Sequence, residues 1–337
     1  MQHACRGCRV VAAAASSSAR VPSLSHPAAY VASVRHRLEI LGAALLFSTG
    51  GAAIKATTLT SWQVASFRSG VAALMVFLVA RQARRGWSWH VLPVGVTYAA
   101  TMVLFVAANK LTTAANTIFL QATAPLYVLL LSPFLLRERI RRRDVAFMAV
   151  VALGMLLFFV ERPPVAATAP DPRTGDLLAL LSGVCWAGAI MGLRWMGSRA
   201  GGDGSTLPTV VAGNAIAFAA CLPMALPVHA TPVDWGVIAY LGVFQIGAAY
   251  LLLGSGIRHV TALEASMLLL LEPALNPFWA WLAHGERPGV WSIAGGALIM
   301  GATIARTAMS PRSGEYESTE VREYEADAAS LPLPPAD

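Results

Sequence analysis

Charge is what this chain has least of. Only 13% of its 337 residues are Asp, Glu, Lys or Arg, about half the share in a soluble globular protein, so water is not its main solvent. No acid precedes Glu39, and no aspartate falls in the middle of an apolar run. The four cysteines build no framework. Cys5 and Cys8 form a CxxC with no second pair, and Cys185 and Cys221 lie inside apolar runs, which leaves little for zinc or redox chemistry. A phosphate-cradling Gly-Lys-Ser motif is missing, so ATP does not drive the protein directly and no cofactor is expected. The seven histidines (His3, His26, His36, His90, His229, His259 and His284) sit in the N-terminal arm, in loops or at segment ends. Neither a metal cluster nor a Ser/His constellation can form from them within an apolar run, which makes an intramembrane enzyme the least supported class. The net charge of +7 does not indicate nucleic acid, because the arginines cluster between apolar runs instead of interleaving with aromatics.

What the chain does have is apolar length: 56% of it is hydrophobic. Ten apolar segments are expected near 38–56, 62–80, 91–109, 112–136, 145–161, 176–197, 208–227, 235–256, 261–283 and 289–308. In lipid only helices or closed barrels satisfy the backbone, and these runs lack the period-two alternation of barrel strands. Gly42, Gly50, Gly51, Gly295 and Gly296 allow helices to approach closely. If both termini are cytoplasmic, the inner loops hold eleven basic residues (Arg81, Arg84, Arg85, Arg137, Arg139, Arg141, Arg142, Arg143, Arg194, Arg199, Arg258) and the outer loops five (Lys55, Lys110, Arg162, Arg173, Arg287). The positive-inside rule therefore favours that orientation, on the strength of the cluster Arg137 to Arg143. Residues 1–37 are basic, Ala- and Ser-rich; a disordered arm or an over-extended start is the simpler reading, and an organelle transit peptide the alternative. Residues 309–337 read as a disordered acidic tail.

Two stretches repeat. Thr113 to Arg139 and Thr261 to Arg287 match at a constant offset of 148 through Thr113/Thr261, Ala114/Ala262, Pro125/Pro273, Glu138/Glu286 and Arg139/Arg287, and Lys110/Arg258 keep it upstream. Five segments per half insert the second copy upside down relative to the first, an architecture common in alternating-access carriers. The halves are 38–161 and 176–308, joined by a proline-rich linker at 162–175.

These features resemble the drug/metabolite transporter superfamily, specifically its EamA-type members. The resemblance spans roughly 38–308. It is carried by Arg68 in QVASFRSG, the Pro-to-Glu-Arg spacing that closes segment 4, the GDLLALLSGVCWAGAI of segment 6, and the Ala-Ser-x5-Glu-Pro ending in Glu272-Pro273. It implies export or exchange of small metabolites, such as amino acids or drugs, through a central cavity between the repeats.

Glu272 is the sharpest site candidate. A carboxyl in hydrocarbon is costly, so it pairs, neutralises or faces a wet cavity. It can contact a substrate amine, carry a coupling proton, or bind a backbone carbonyl freed by Pro273 or Pro277. Arg68 is the one basic residue well inside a segment, about 9 Å deep. An Arg68–Glu272 ion pair is within reach of long side chains, with Arg68 snorkelling outward as the alternative. Thr113, Thr117 and Gln121 form one stripe of segment 4, and Asn116, Thr123 and Tyr127 its neighbour. Such stripes face inward, to line a cavity or to bond neighbouring helices. Ser48, Thr49, Tyr98, Thr101, Trp186, Gln245 and Tyr250 are further lining candidates, and Asn276 shares a side with Glu272. Glu138 and Glu286 read as loop anchors through ion pairs.

The expectation is an all-α membrane protein of ten transmembrane helices in two inverted five-helix repeats, placed in a bacterial inner membrane. It is a secondary carrier of small-molecule substrates in a lipid bilayer, with proton coupling open and monomer or homodimer both open. A channel or non-transporting scaffold is the rival.

Overall fold

The computed structural model describes residues 27–135, 142–160, 166–199, 206–256, 265 and 268–308. Glu138, Arg139, Arg258, Thr261, Ala262 and the acidic tail lie outside them, as does most of the basic arm.

Helices form every regular element among the described residues. α1 (Pro27–Ser48) and α2 (Gly50–Lys55) are one span interrupted at Thr49. α1 begins eleven residues before the expected boundary at 38, because the alanine-rich lead-in is a good helix former with proline at its first position. α3 (Ser61–Val79) opens on a capping box, Thr60 with Gln63. α4 (Val91–Leu111) follows, then α5 (Ala114–Gln121), whose N-cap Thr113 accepts from Asn116 N at 3.1 Å. α6 (Ala124–Leu135) and α7 (Arg142–Leu157) complete the first half. α8 (Pro172–Arg199) and α9 (Thr206–Ala225) open the second. α10 (Pro232–Tyr240), capped by Thr231 and Asp234, runs through a π-helical segment, Leu241–Ala248, into α11 (Ala249–Gly256). α12 (Leu271–His284) ends at Gly285, in the left-handed region at φ 66°, and α13 (Val290–Ala308) closes the described chain.

Seven of these spans are long and apolar enough to cross a membrane: Val34–Lys55, Ser61–Val79, Val91–Leu111, Ala114–Leu131, Pro172–Leu193, Thr206–Ala225 and Pro232–Gly256. Asp144–Leu157 and Val290–Ala305 are shorter apolar helices. Outward-facing Leu74, Leu78, Leu92, Val96, Leu153 and Leu156 give the bundle an apolar exterior suited to acyl chains.

Helices of the two halves interleave. α4 packs on α8 and α9, α3 on α9 and on the π segment, and α1 on α11 and α12. α5 and α6 lie against α8, α5 also touches α12, and α7 packs on α13. Small residues set the closest crossings. A side chain at Gly213 would stand 2.4 Å from Tyr98 and 3.0 Å from Gly95 O, and one at Gly295 would stand 2.6 Å from Gly154 O. The largest apolar core, including Ile54, Val64, Phe105, Leu120, Ile238 and Ile299, is built from both halves.

Polar bonds tie one end of the bundle. Lys55 Nζ pairs with Glu286 Oε1 at 3.0 Å and donates to Thr112 O at 2.7 Å and to Thr168 O. Glu286 Oε2 accepts Ala114 N at 2.8 Å, at the N-terminus of α5, where the helix dipole favours an anion. Lys110 donates to Thr57 O at 2.7 Å, and Asp234 accepts Thr58 N at 2.8 Å. Asp176 accepts Thr112 Oγ1 at 2.7 Å and Asn116 Nδ2 at 3.0 Å.

Candidate functional site: a central cavity at two broken helices

Two interruptions shape the interior. The segment-4 helix breaks at 122–123, between α5 and α6, and the segment-9 helix turns at Leu270 before α12. The offset of 148 carries 122 onto 270, so both breaks fall at the same place in the repeated sequence. Proline explains them. Pro125 and Pro273 have no N–H to return to the carbonyls of Gln121 and Leu269, four residues earlier, and each ring crowds that turn. Both relieved positions, Gln121 and Leu269, border a cavity of about 330 Å³.

Residues from both halves line this cavity. Arg68 comes from α3, Thr101 and Met102 from α4, and Gln121 from α5. Trp186 comes from α8, Gln245 from the π segment, Tyr250 from α11 and Glu272 from α12. The π segment adds a residue to its turn and so turns Gln245 against Gly50, where any larger residue would meet Gln245 Nε2 at 2.8 Å. Gln121 Nε2 donates to Ser182 Oγ at 2.7 Å, and Ser182 in turn donates to Thr101 O at 3.2 Å, which holds the amide at the wall. Most of the remaining lining is apolar or aromatic, including Phe47, Phe105 and Ile246.

The sequence candidates separate into two groups. Arg68, Thr101, Gln121, Trp186, Gln245, Tyr250 and Glu272 meet at the cavity. Tyr98 stands just behind, its ring 5.8 Å from Tyr250 and 6.4 Å from Trp186, and its hydroxyl accepts Asn214 Nδ2 at 3.3 Å. Ser48, Asn116 and Thr117 bond between or within helices. Ser48 donates to Leu45 O at 2.7 Å and accepts Trp279 Nε1 at 2.9 Å. Thr117 donates to Thr113 O at 3.0 Å, and Asn116 donates to Asp176. Asn276 is fully buried against Gly51, and its amide finds no partner among the described residues.

The Arg68–Glu272 ion pair allowed by depth is not formed in this structure. The guanidinium turns to α4 instead, donating from Nη2 to Met102 O at 3.0 Å. Both charged groups still border the same space. Gln245 was a second-rank candidate from sequence, and the π segment that presents it leaves no composition signal. The polar end was harder to foresee: Lys55 and Lys110 count only as orientation charges until their partners are brought near.

Many apolar helices, an apolar exterior and a cavity walled by both halves of the chain are features found in membrane transporters. The sequence profile of the EamA-like transporter family matches residues 38–160 and again 173–306, and the chain belongs to that family. Over 272 residues it is 29% identical to the pseudopaline exporter CntI of Pseudomonas aeruginosa (strain UCBPP-PA14), covering 78% of this chain and 92% of that protein. The uncharacterized transporter YyaM of Bacillus subtilis (strain 168) is 24% identical over 204 residues, 58% of this chain and 65% of that one. A crystal structure with 20% sequence identity superposes with a TM-score of 0.56, covering 81% of this chain and 98% of its own, and shares the fold.

Proposed function

We propose that the chain is a secondary carrier, moving small polar metabolites, amino-acid-like or drug-like, out of the cell by alternating access. Its ten spans form two inverted repeats, 38–161 and 176–308, around the central cavity. The observation that carries this is the cavity itself, walled from both halves and bordered by the two proline breaks. Discontinuous helices at an inverted-repeat interface are where carriers bind substrate.

The helix contacts support the repeat. Under its pairing, α4 on α8 corresponds to α11 on α1, α4 on α9 to the π segment on α3, and α5 on α8 to α12 on α1. α3 on α9, α5 on α12 and α7 on α13 map onto themselves. A single bundle without internal symmetry has no reason to pair contacts in this way. The double match of the family profile supports it as well. Export as the direction draws on the Pseudomonas relative, which is an exporter by name. A bacterial inner membrane with both termini cytoplasmic fits the loop arginines.

Glu272 is the candidate coupling group: a carboxyl bordering an apolar-walled cavity, with no basic partner among the described residues. Proton binding would relieve the cost of that carboxylate during the return step. Resistance screening of an overexpressing strain against an amino-acid and toxin panel identifies a transported solute. Uptake of that solute into proteoliposomes then tests the reading. Wild-type uptake is expected to saturate and to fall when the proton gradient is collapsed, whereas Glu272→Gln uptake should be indifferent to the gradient. A gradient response that persists in Glu272→Gln removes the coupling role, and non-saturable wild-type flux points to a channel.

A further inference from the structure

We propose that Arg68 is the carboxylate anchor of this cavity and that its ligand is a zwitterion, with a carboxylate against Arg68 and a cationic nitrogen toward Glu272. The inference deepens the carrier reading above and rests on it for the role of the cavity.

Arg68 is only 1% exposed, in the middle of α3, yet it borders the cavity. Arginine stays protonated under all ordinary conditions, so its charge has to be met by position. The structure meets it thinly. Nη2 donates to Met102 O at 3.0 Å and lies 3.9 Å from Met102 Sδ, while Nε is buried with no partner among the described residues. The ion pairs described, Arg35–Glu39, His36–Glu39 and Lys55–Glu286, leave Arg68 without an acid. A guanidinium has five N–H donors in a planar fork, and a carboxylate matches that fork with two parallel bonds. A buried cation without a counter-charge is strongly unfavourable, which favours a resident or arriving anion.

Glu272 supplies the opposite sign on the same cavity, also without an ion-pair partner among the described residues. If the two were paired, the cavity would be neutral and a substrate would have to break the pair to use either charge. Held apart, each can meet its own end of one small molecule. Phe47, Phe105, Trp186 and Tyr250 line the same cavity and suit an apolar or aromatic body, and a ring face also attracts a cation. Gln245 Oε1, buried and without a partner among the described residues, gives a second acceptor for an ammonium. A purely cationic solute would leave Arg68 unmet, and a purely anionic one would leave Glu272 unmet.

The test uses the full chain in lipid nanodiscs and four probes of one shape: L-phenylalanine, 3-phenylpropionate, 2-phenylethylamine and phenylalaninamide. Calorimetric titration of the wild type should find phenylalanine tightest. Loss of either charged end should weaken binding about 10- to 100-fold, the scale of a charge-assisted hydrogen bond. Arg68→Gln should lose about the same factor for phenylalanine and 3-phenylpropionate while changing phenylethylamine less than about three-fold. Glu272→Gln should give the mirror pattern, weakening the amines and sparing 3-phenylpropionate. Equal wild-type affinity for phenylalanine and phenylethylamine, wild-type affinity for phenylalanine in Arg68→Gln, or no wild-type binding of any probe overturns the proposal. If Arg68→Gln does not fold, the wild-type order of the four probes and the Glu272→Gln arm still decide it. Proteoliposome uptake separates this from the carrier reading. The binding pattern without saturable uptake leaves the anchor standing and removes the carrier; saturable uptake indifferent to the carboxylate does the reverse.

Discussion

Lys55→Met will cost the fold about 3–5 kcal/mol, the penalty for stranding a buried charge. The side chains of Lys55 and Glu286 are 3% and 4% exposed and stand 3.0 Å apart. Methionine keeps the length and the packing but leaves the Glu286 carboxylate in a dry setting with Ala114 N as its remaining hydrogen-bond donor. Glu286→Gln should be milder, because an amide oxygen can still accept from Ala114 N and Lys55 keeps the carbonyls of Thr112 and Thr168. The double variant Lys55→Met with Glu286→Gln should therefore be more stable than Lys55→Met alone. Denaturation midpoints of the four proteins in one detergent check this order. A double variant no better than Lys55→Met would mean that the pair is not coupled. The consequence reaches beyond stability, since this contact joins α2 to the segment after α12 at the polar end of the bundle. Weakening it should favour states in which that end opens.

Ala122→Trp will stop transport while leaving the protein folded. Ala122 sits at the break between α5 and α6 and borders the cavity, so an indole placed there occupies space a substrate needs. Overpacking a filled core costs about 1–3 kcal/mol, but here the ring has about 330 Å³ of cavity to enter. Uptake should fall about 100-fold, equivalent to about 2.8 kcal/mol of lost substrate binding. The elution profile in detergent and the melting temperature should stay near those of the wild type. Uptake within about three-fold of wild type would mean that substrate does not pass through this space.

Much of the fold was legible because lipid allows so few solutions. Apolar runs of spanning length had to be helices, and the pairing of Pro125 with Pro273 marked where two of them break. Boundaries were less legible. α7 ends at Leu157 although the apolar run continues to Val160, and α1 starts well before 38, since hydropathy reads the solvent and not the hydrogen bonds that start and stop a helix. At the site, residues that are costly in lipid were the informative ones: Arg68 and Glu272 both border the cavity. Small polar residues were not. A stripe such as Thr113, Thr117 and Gln121 says only which side faces inward, and the structure uses Thr117 for its own helix and Gln121 for the cavity wall. Asn116 turned to Asp176, a partner 60 residues away that no spacing rule connects to it. Whether Arg68 and Glu272 touch could not be read from sequence for a related reason. Depth along two helices fixes height but not rotation, and the guanidinium donates to Met102 O instead.

In the proposed carrier, one chamber shared by two inverted halves opens to one side of the membrane at a time. Single-cysteine labelling at Gln121 tests it most directly, in a background free of other cysteines, with a membrane-impermeant thiol reagent applied from each side of oriented vesicles. A cysteine pair at Thr58 and Asp234, which are in hydrogen-bond contact at 2.8 Å, locks the polar end when oxidised. The carrier account predicts labelling of position 121 from both sides in the unlocked protein. After locking, it predicts labelling from the opposite side alone, together with loss of uptake. Labelling from both sides with the lock closed, or from neither side in any condition, would contradict it.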